Sequence, residues 1–342
     1  MRSGLWNNSG IFYRKGAKKI LDSKCKSRKN FIINKFSIGN FATFYSSLKS
    51  KETCAFALNK QTIMKIKNNA GEIVEFEISK LENSLRNSGA DEAAVKQVLK
   101  IILPNCKDGI TTRELYKLAF DELKKISNSV AARYSLKKAL LELGPSGFYF
   151  EQWIARVFQN IGYKTETGQL IKGHAVTHEA DVIAKKDEKT YWVECKFRNA
   201  EDTKISVTTP MYVLSRIRDI SGINYNLFET QTEFTDGWLI TNTYFTKDSV
   251  AFAEYYGLKL LSWDYPKDKN IKSLVDQNAL YPVTCLTTLD EKQKQKLLEN
   301  KCILVKELFQ NQNLLDVLEL DQNTKSEILK EAKELLVIKI SE

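Results

Sequence analysis

Two neighbouring stretches, "HEADVIA" and "TYWVECKF", constrain the fold of this chain more than any other part of its sequence. The polar run "KKDEK" between them is typical of a tight turn, so together they predict a β-hairpin. Because alternate residues of a strand point to the same face, the second strand turns an apolar set toward the core: Tyr191, Val193, Cys195 and Phe197.

The other face of this hairpin carries charge. On the second strand it presents Glu194 and Lys196 beside Trp192. The first strand places a further set on one face: Glu179, Asp181 and Ile183. Pairing across the hairpin can bring Asp181 close to Glu194, and two such carboxylates repel each other unless a cation lies between them. We therefore predict a divalent ion held by Asp181, Glu194 and the backbone carbonyl of Cys195.

A helix with an apolar stripe, "FYFEQWIARVFQNIG", precedes the hairpin, and Glu151 at the edge of that stripe is predicted as an additional ligand. Lys196 would orient or activate a water and offset charge on a phosphate. The chain has two histidines, His174 and His178, so a site built on carboxylates suits Mg²⁺ or Mn²⁺ better than zinc.

Each of these residues also has a plainer interpretation. Glu194 and Lys196 could form a solvated ion pair on an edge strand. His178 could support the site or make a structural hydrogen bond, and His174 is interpreted as a loop residue. Cys195 is interpreted as a core residue. Arg216 and Arg218 could contact phosphates, but we favour a solvated helix face for both.

The net charge of +10 suggests nucleic acid at first sight. However, residues 1–63 hold 13 Lys and Arg against two acidic residues, which leaves 39 basic and 40 acidic residues elsewhere. A DNA-binding surface in the folded body must therefore be a local patch. Six scattered cysteines fit a reducing, cytoplasmic location. No apolar run approaches the roughly 20 residues of a membrane helix, so we expect no membrane partner.

Four regions follow one another along the chain. Residues 1–63 are a basic leader, which could be a transit peptide, a DNA-binding tail or, as we favour, a translated upstream region before Met64. Residues 64–143 predict two short strands and four helices. Residues 144–266 follow the order α-β-β-β-α-β-α-β, which indicates a mixed α/β fold. Residues 267–342 predict a helical domain.

The spacing of Asp181, Glu194 and Lys196 resembles the D-x(n)-E-x-K pattern of the PD-(D/E)xK nucleases. The wider string from Gly144 to Pro266 is similar to the Mrr subgroup of restriction endonucleases. The resemblance implies a mixed sheet flanked by helices and Mg²⁺-dependent hydrolysis of double-stranded DNA, often modified DNA. Asp181, Glu194 and Lys196 would be its catalytic residues.

The two flanking regions resemble other modules. Residues 64–143 look like an ATP-cone, a nucleotide-sensing domain, which implies ATP or dATP as effector, with Lys65, Lys67 and Arg133 as its contacts. Asn68 stands where that family usually has Arg. The C-terminal region resembles a helix-hairpin-helix module that binds DNA phosphates, although the usual G-x-G hairpin is absent. A plain α/β spacer and a plain helical packing domain are the alternatives.

These features together predict a nucleotide-regulated endonuclease of the Mrr restriction type, acting on methylated or foreign duplex DNA. A homodimer is expected because double-strand cutting often needs two active sites. One alternative is a non-catalytic, nucleotide-responsive DNA-binding regulator. Another is a DNA-repair nuclease, which shares the chemistry but differs in substrate.

Overall fold

The computed structural model describes residues 64–68, 71–200 and 202–337. The predicted basic leader at residues 1–63 lies outside the described residues, so its three interpretations stay open. None of the helices in the described ranges combines the length and the apolar composition needed to cross a membrane.

Residues 64–143 form a hairpin followed by a helical bundle. The elements are β1 (Lys65–Lys67), β2 (Ile73–Glu75), α1 (Ile78–Asn87), α2 (Glu92–Asn105), α3 (Thr112–Ile126), α4 (Asn128–Tyr134) and α5 (Leu136–Leu141). Buried leucine, isoleucine, valine and alanine side chains from α1 to α4 make its core. The predicted fourth helix is divided in two at Ser135.

The helix starts in this region differ in whether a local capping signal marks the first residue of the helix. Thr111 caps α3, because its hydroxyl accepts the N–H of Glu114 while the Glu114 carboxylate accepts the N–H of Thr111. The first helix begins at Ile78, after Glu77, whose side chain makes no capping hydrogen bond.

The central region is a mixed α/β domain, as predicted. Its elements are α6 (Phe148–Asn160), β3 (Lys164–Lys172), β4 (Thr177–Lys186), β5 (Lys189–Lys196), β6 (Lys204–Ile205), α7 (Thr208–Ile220), β7 (Tyr225–Leu227), β8 (Thr230–Thr232), β9 (Phe234–Thr241), β10 (Tyr244–Phe245), α8 (Lys247–Tyr256) and β11 (Lys259–Leu261). Within the described residues the main sheet has the order β11-β9-β5-β4-β3. β5 is its middle strand, antiparallel to β4 and parallel to β9.

Each face of this sheet is covered by a separate apolar core. The first, which we call the α6 core, includes Phe150 and Trp153 of α6 with Val182 and Val193 of the sheet. The second, the α7 core, includes Val213 of α7 with Ile183, Trp192 and Leu239. The alternation predicted for β5 is confirmed, since Tyr191, Val193 and Cys195 join the α6 core and Trp192 joins the α7 core.

The alternation predicted for β4 is wrong at its centre. Ala180 and Ile183 both contribute to the α7 core, whereas Val182 contributes to the α6 core. The regular alternation of side chains between the two faces of the sheet is therefore interrupted between Ala180 and Ile183. Gly168 on β3 lies opposite this point in the register and has a left-handed φ of 62°. Asp181 sits at the irregularity.

The C-terminal region is helical, as predicted. It contains α9 (Ile271–Asn278), a 3-10 turn (Val283–Cys285), α10 (Glu291–Glu299), α11 (Val305–Gln310), a 3-10 helix (Gln312–Leu318) and α12 (Gln322–Leu336). Its apolar side chains belong to the α6 core rather than to a core of their own. The Trp153 indole donates to the carbonyl of Leu280 at 3.1 Å, and Arg156 pairs with Glu307 at 2.7 Å.

Candidate active site at the end of the central strands

Asp181 lies where β4 and β5 separate. The last recorded pair of their ladder joins Val182 to Val193, so Asp181 and Glu194 are the next residues along the two strands. The Asp181 carboxylate accepts the backbone N–H of Cys195 at 2.6 Å. Burial, followed by the nearby charge of Glu194, raises the pKa of Asp181 to about 6. The hairpin therefore brings the two predicted carboxylates together.

Glu194 is buried, with 1% of its surface exposed. Its Oε1 lies 2.7 Å from Nζ of Lys196, and its Oε2 lies 2.6 Å from Nη1 of Arg216. The indole N–H of Trp192 also donates to Oε2, at 3.3 Å. The interpretation of Glu194 and Lys196 as a solvated pair on an edge strand is thus wrong, because β5 is the middle strand and the carboxylate is buried.

Lys196 lies beside Glu194 and is about one third exposed, with 31% of its side chain accessible. Partial burial lowers the pKa of Lys196, but the hydrogen bond to Glu194 and the nearby carboxylates raise it by more. The pKa therefore lies above its ordinary value, and the side chain is a cation at neutral pH. Its ammonium group also lies 5.9 Å from the ring centre of Tyr212 on α7.

Glu151 reaches the same region from the other side of the sheet. Burial, followed by the charges of Asp181, Glu179 and Glu194, raises the pKa of Glu151 to about 7. Such an effect requires these carboxylates to lie near one another. Four of the predicted site residues are therefore gathered at one end of β4 and β5: Glu151, Asp181, Glu194 and Lys196.

The contact of Arg216 with Glu194 was not predicted from the sequence. The solvated helix face favoured for it is wrong, since 15% of its side chain is exposed and its guanidinium contacts Glu194. It lies between two rings, 5.4 Å from Trp192 and 5.0 Å from Tyr212. One signal could have suggested it: Tyr212 and Arg216 are four residues apart, so they share one face of the predicted helix.

Arg218 fits the favoured interpretation better. Its side chain is exposed, and its guanidinium lies 5.7 Å from the ring centre of Tyr256.

Cys195 is a core residue, as interpreted from its parity. Its side chain is buried in the α6 core, and burial raises the pKa of its thiol well above the ordinary value. The thiol is therefore neutral at ordinary pH and packs as a core side chain. The predicted role of the Cys195 backbone carbonyl stays a prediction.

The two histidines fasten the β3–β4 turn to α7. His178 lies 2.8 Å from Asp219, and that carboxylate also accepts the N–H groups of Ala175 and Val176. The ring of His174 lies 3.1 Å from the carbonyl of Ser221. Both histidines thus have structural hydrogen bonds, and they hold in place the turn that leads into β4.

The donor atoms around Asp181 suit a hard divalent cation, because they are carboxylate oxygens. Burial first, and then the charges of neighbouring carboxylates, raise the pKa values of Asp181 and Glu151, and a nearby cation would favour the ionised form of both. In the described ranges, however, no three His, Cys, Asp or Glu side chains converge closely enough to enclose a metal. Both oxygens of Glu194 contact Lys196 and Arg216 instead, so Glu194 must turn from Arg216 to become a ligand.

The predicted nucleotide contacts lie apart from this site. Lys65 and Lys67 are on β1, the first strand of the N-terminal hairpin. Arg133 on α4 donates to the carbonyls of Glu334, Leu335 and Val337 at 3.0 to 3.1 Å, which caps the end of α12. A nucleotide contact by Arg133 would compete with this cap.

Comparison with known families supports the predictions made for the middle of the chain. Residues 144–265 match the restriction endonuclease family Mrr_cat, and the site described above lies wholly within them. Residues 144–265 are therefore similar to restriction endonuclease domains of the PD-(D/E)xK type, which are nucleases. The predicted fold class is confirmed, and the match supports the prediction of a nuclease that acts on DNA. Residues 281–336 match a second family, AF1548-like, C-terminal.

Part of this chain is also similar to a further protein and to a solved structure. An uncharacterized protein of Archaeoglobus fulgidus is 28% identical over 184 residues, which is 54% of this chain and 99% of the relative. A crystal structure described as the protein of unknown function AF1548 is 27% identical, covers 55% of this chain and 97% of its own, and has a TM-score of 0.45. The predicted ATP-cone and helix-hairpin-helix resemblances stay predictions.

Proposed function

We propose that this protein is an endonuclease of the Mrr restriction type that uses Mg²⁺ or Mn²⁺ to hydrolyse phosphodiester bonds in methylated or foreign double-stranded DNA. The observation that carries the proposal is the proximity of Asp181, Glu194 and Lys196 at one end of the central strands, inside the segment that matches restriction endonucleases. A solvated surface pair would not combine a buried carboxylate with raised pKa values on its neighbours.

In this proposal each side chain has a defined task. Asp181 and Glu194 supply oxygen ligands, the carbonyl of Cys195 adds another, and Glu151 contributes from α6. A divalent ion bound there polarises the scissile phosphate and lowers the pKa of a water ligand. Lys196 orients the attacking water and offsets the charge that develops on the phosphate.

The decisive experiment is cleavage of differently methylated plasmids by the full chain with Mg²⁺ or Mn²⁺. Asp181→Asn should abolish cleavage, because it removes one ligand charge. Asp187→Asn makes the same chemical change in the turn of the same hairpin, where the side chain is exposed, and should cleave normally. If no plasmid is cut in a manner that depends on Asp181, the nuclease proposal fails. Equal cutting of branched or nicked DNA would favour a repair nuclease.

We also propose that ATP or dATP acts on residues 64–143 through Lys65 and Lys67, with Arg133 as a third contact if it releases its cap on α12. The same plasmid assay with and without ATP tests this, using Lys67→Ala. Lys96→Ala on the exposed face of α2 is the matched control. DNA binding that is intact and responds to nucleotide, with no cleavage by the wild type, would favour the regulator alternative. A cytoplasmic location and a homodimer remain predictions.

A further inference from the structure

Glu194 carries one negative charge but contacts two positively charged side chains. Two cations, Lys196 and Arg216, each lie within 2.7 Å of one of its two oxygens. Within the described residues, neither Asp181 nor Glu151 forms an ion pair, although both lie near Glu194. The two cations of the site therefore make their ion pairs with one carboxylate, that of Glu194.

Arg216 is held in position by its surroundings. The rings of Trp192 and Tyr212 lie 5.4 and 5.0 Å from its guanidinium carbon, an arrangement that favours a cation. Its helix is packed tightly on the sheet, since a side chain added at Gly237 of β9 would collide with Ile217. Small movements of Arg216 therefore have to come from its own side-chain torsions.

The pairing of Arg216 with Glu194 is incomplete. Nη1 reaches the carboxylate, but the Nε atom is buried and has no hydrogen-bond acceptor among the described residues. A buried unpaired donor carries a free-energy cost. The guanidinium is thus a weaker partner for Glu194 than a two-bond, fork-to-fork contact would be, and a stronger competitor can displace it.

We propose that Arg216 and a divalent cation compete for the carboxylate of Glu194, so that Arg216 is a positioning residue that sets the metal affinity of the site. This inference rests on the divalent-ion site of the proposed function. Glu194 turns toward Asp181 when the cation binds, and the guanidinium of Arg216 is released beside Tyr212, whose ring is half exposed.

The test is a direct titration of the full chain with Mn²⁺ in the absence of DNA, followed by calorimetry or by the spin-resonance signal of free Mn²⁺. Arg216→Gln removes the competing charge and should bind Mn²⁺ roughly tenfold more tightly or better. Arg218→Gln removes an equal charge two residues away on the same helix, at an exposed position. It should change the affinity by less than about twofold, because exposed charges are screened.

Two more variants keep the test informative if Arg216→Gln folds poorly. Arg216→Lys keeps the cation and should bind Mn²⁺ about as the wild type does. Tyr212→Leu leaves Arg216 in place but removes one of its two rings, so it should raise the affinity by a smaller factor. A purely structural role of Arg216 would lower the melting temperature without raising Mn²⁺ affinity in any variant.

All but one of the outcomes separate this inference from the nuclease proposal; the exception, absence of Mn²⁺ binding in every protein, counts against both. Equal Mn²⁺ affinity in the wild type, Arg216→Gln and Arg218→Gln overturns the competition, even if the wild type cleaves DNA. Absence of Mn²⁺ binding in all of them overturns it as well. Tighter binding by Arg216→Gln supports it, and this result would stand even if no DNA substrate were cleaved.

Discussion

The Asp181 carboxylate, one residue beyond the last pair of the β4–β5 ladder, accepts the backbone N–H of Cys195, two residues beyond that pair on the other strand, at 2.6 Å. In a regular hairpin that N–H would be free to pair with a backbone carbonyl of the neighbouring strand. Here a side chain takes the place of the strand. The two strands thereby separate while a hydrogen bond still joins them, and the half-buried carboxylate of Asp181 lies near Glu194.

The ammonium group of Lys196 should be required for cleavage. Lys196→Ala should lower the single-turnover rate about a hundredfold or more, because it removes a cation that offsets charge on the phosphate. Lys189→Ala, at the exposed far end of the same strand, should cleave as the wild type does. A Lys196→Ala rate close to that of the wild type would exclude the proposed role.

The raised pKa of Glu151 makes the folded protein sensitive to pH. Folding favours the protonated form of this carboxyl, so its contribution to stability is present at low pH and is lost as the pH rises through about 7. Glu151→Gln should therefore melt at a higher temperature than the wild type at pH 8, with the difference vanishing near pH 5.

Divalent cations should reverse this difference in melting temperature between the wild type and Glu151→Gln. If Glu151 is a ligand, Mg²⁺ should raise the melting temperature of the wild type more than that of Glu151→Gln. Glu188→Gln, an exposed residue of the β4–β5 turn, controls for the loss of one negative charge. Parallel melting curves for the wild type and Glu151→Gln at every pH would contradict the burial of this carboxyl.

The buried carboxylate of Glu331 should stabilise the C-terminal region. It is 2% exposed and accepts four hydrogen bonds, from the backbone and the hydroxyl groups of Thr287 and Thr288. Glu331→Gln turns one acceptor into a donor that faces other donors, so we expect a loss of about 1–3 kcal/mol in the free energy of unfolding. Urea denaturation measures it, and Glu327→Gln on the exposed face of α12 should be nearly neutral.

Gly173 should be needed for the turn that leads into β4. A Cβ there would lie 2.1 Å from Oδ2 of Asp219 and 2.9 Å from the carbonyl of Val176. Gly173→Ala should displace Asp219 from the N–H groups of Ala175 and Val176 and speed hydrogen exchange at both amides by about tenfold or more. Lys172→Ala truncates an exposed side chain one residue before Gly173, and it should leave that exchange unchanged.

Much of the central domain could be read from local patterns. The two strands of the hairpin, the helices on either side and the inward direction of Cys195 follow from a period of two in strands and of about 3.6 in helices. Thr111 and Glu114 likewise specify their own helix start within four residues. These features depend on neighbours in the sequence, so the sequence contains the information that fixes them.

Other elements have no recognisable local signal in the sequence. The short hairpin of β7 and β8 turns through Phe228 and Glu229, both with positive φ, although neither is a usual turn residue. The change of face at Asp181 follows from its contact with another strand. The C-terminal helices pack into the α6 core. Helical periodicity cannot predict this, since an apolar stripe indicates that a helix face is buried but not which element covers it.

The sequence by itself therefore determined which residues could carry the chemistry: Asp181, Glu194 and Lys196, from their types, spacing and strand. The tertiary structure decided how they are paired. It brought Arg216, 22 residues downstream on a helix, onto Glu194, buried that carboxylate in the middle of a sheet, and opened the strands at Asp181. Charge pairs of this kind depend on distances between elements, and those distances are set only when both faces of the sheet are packed.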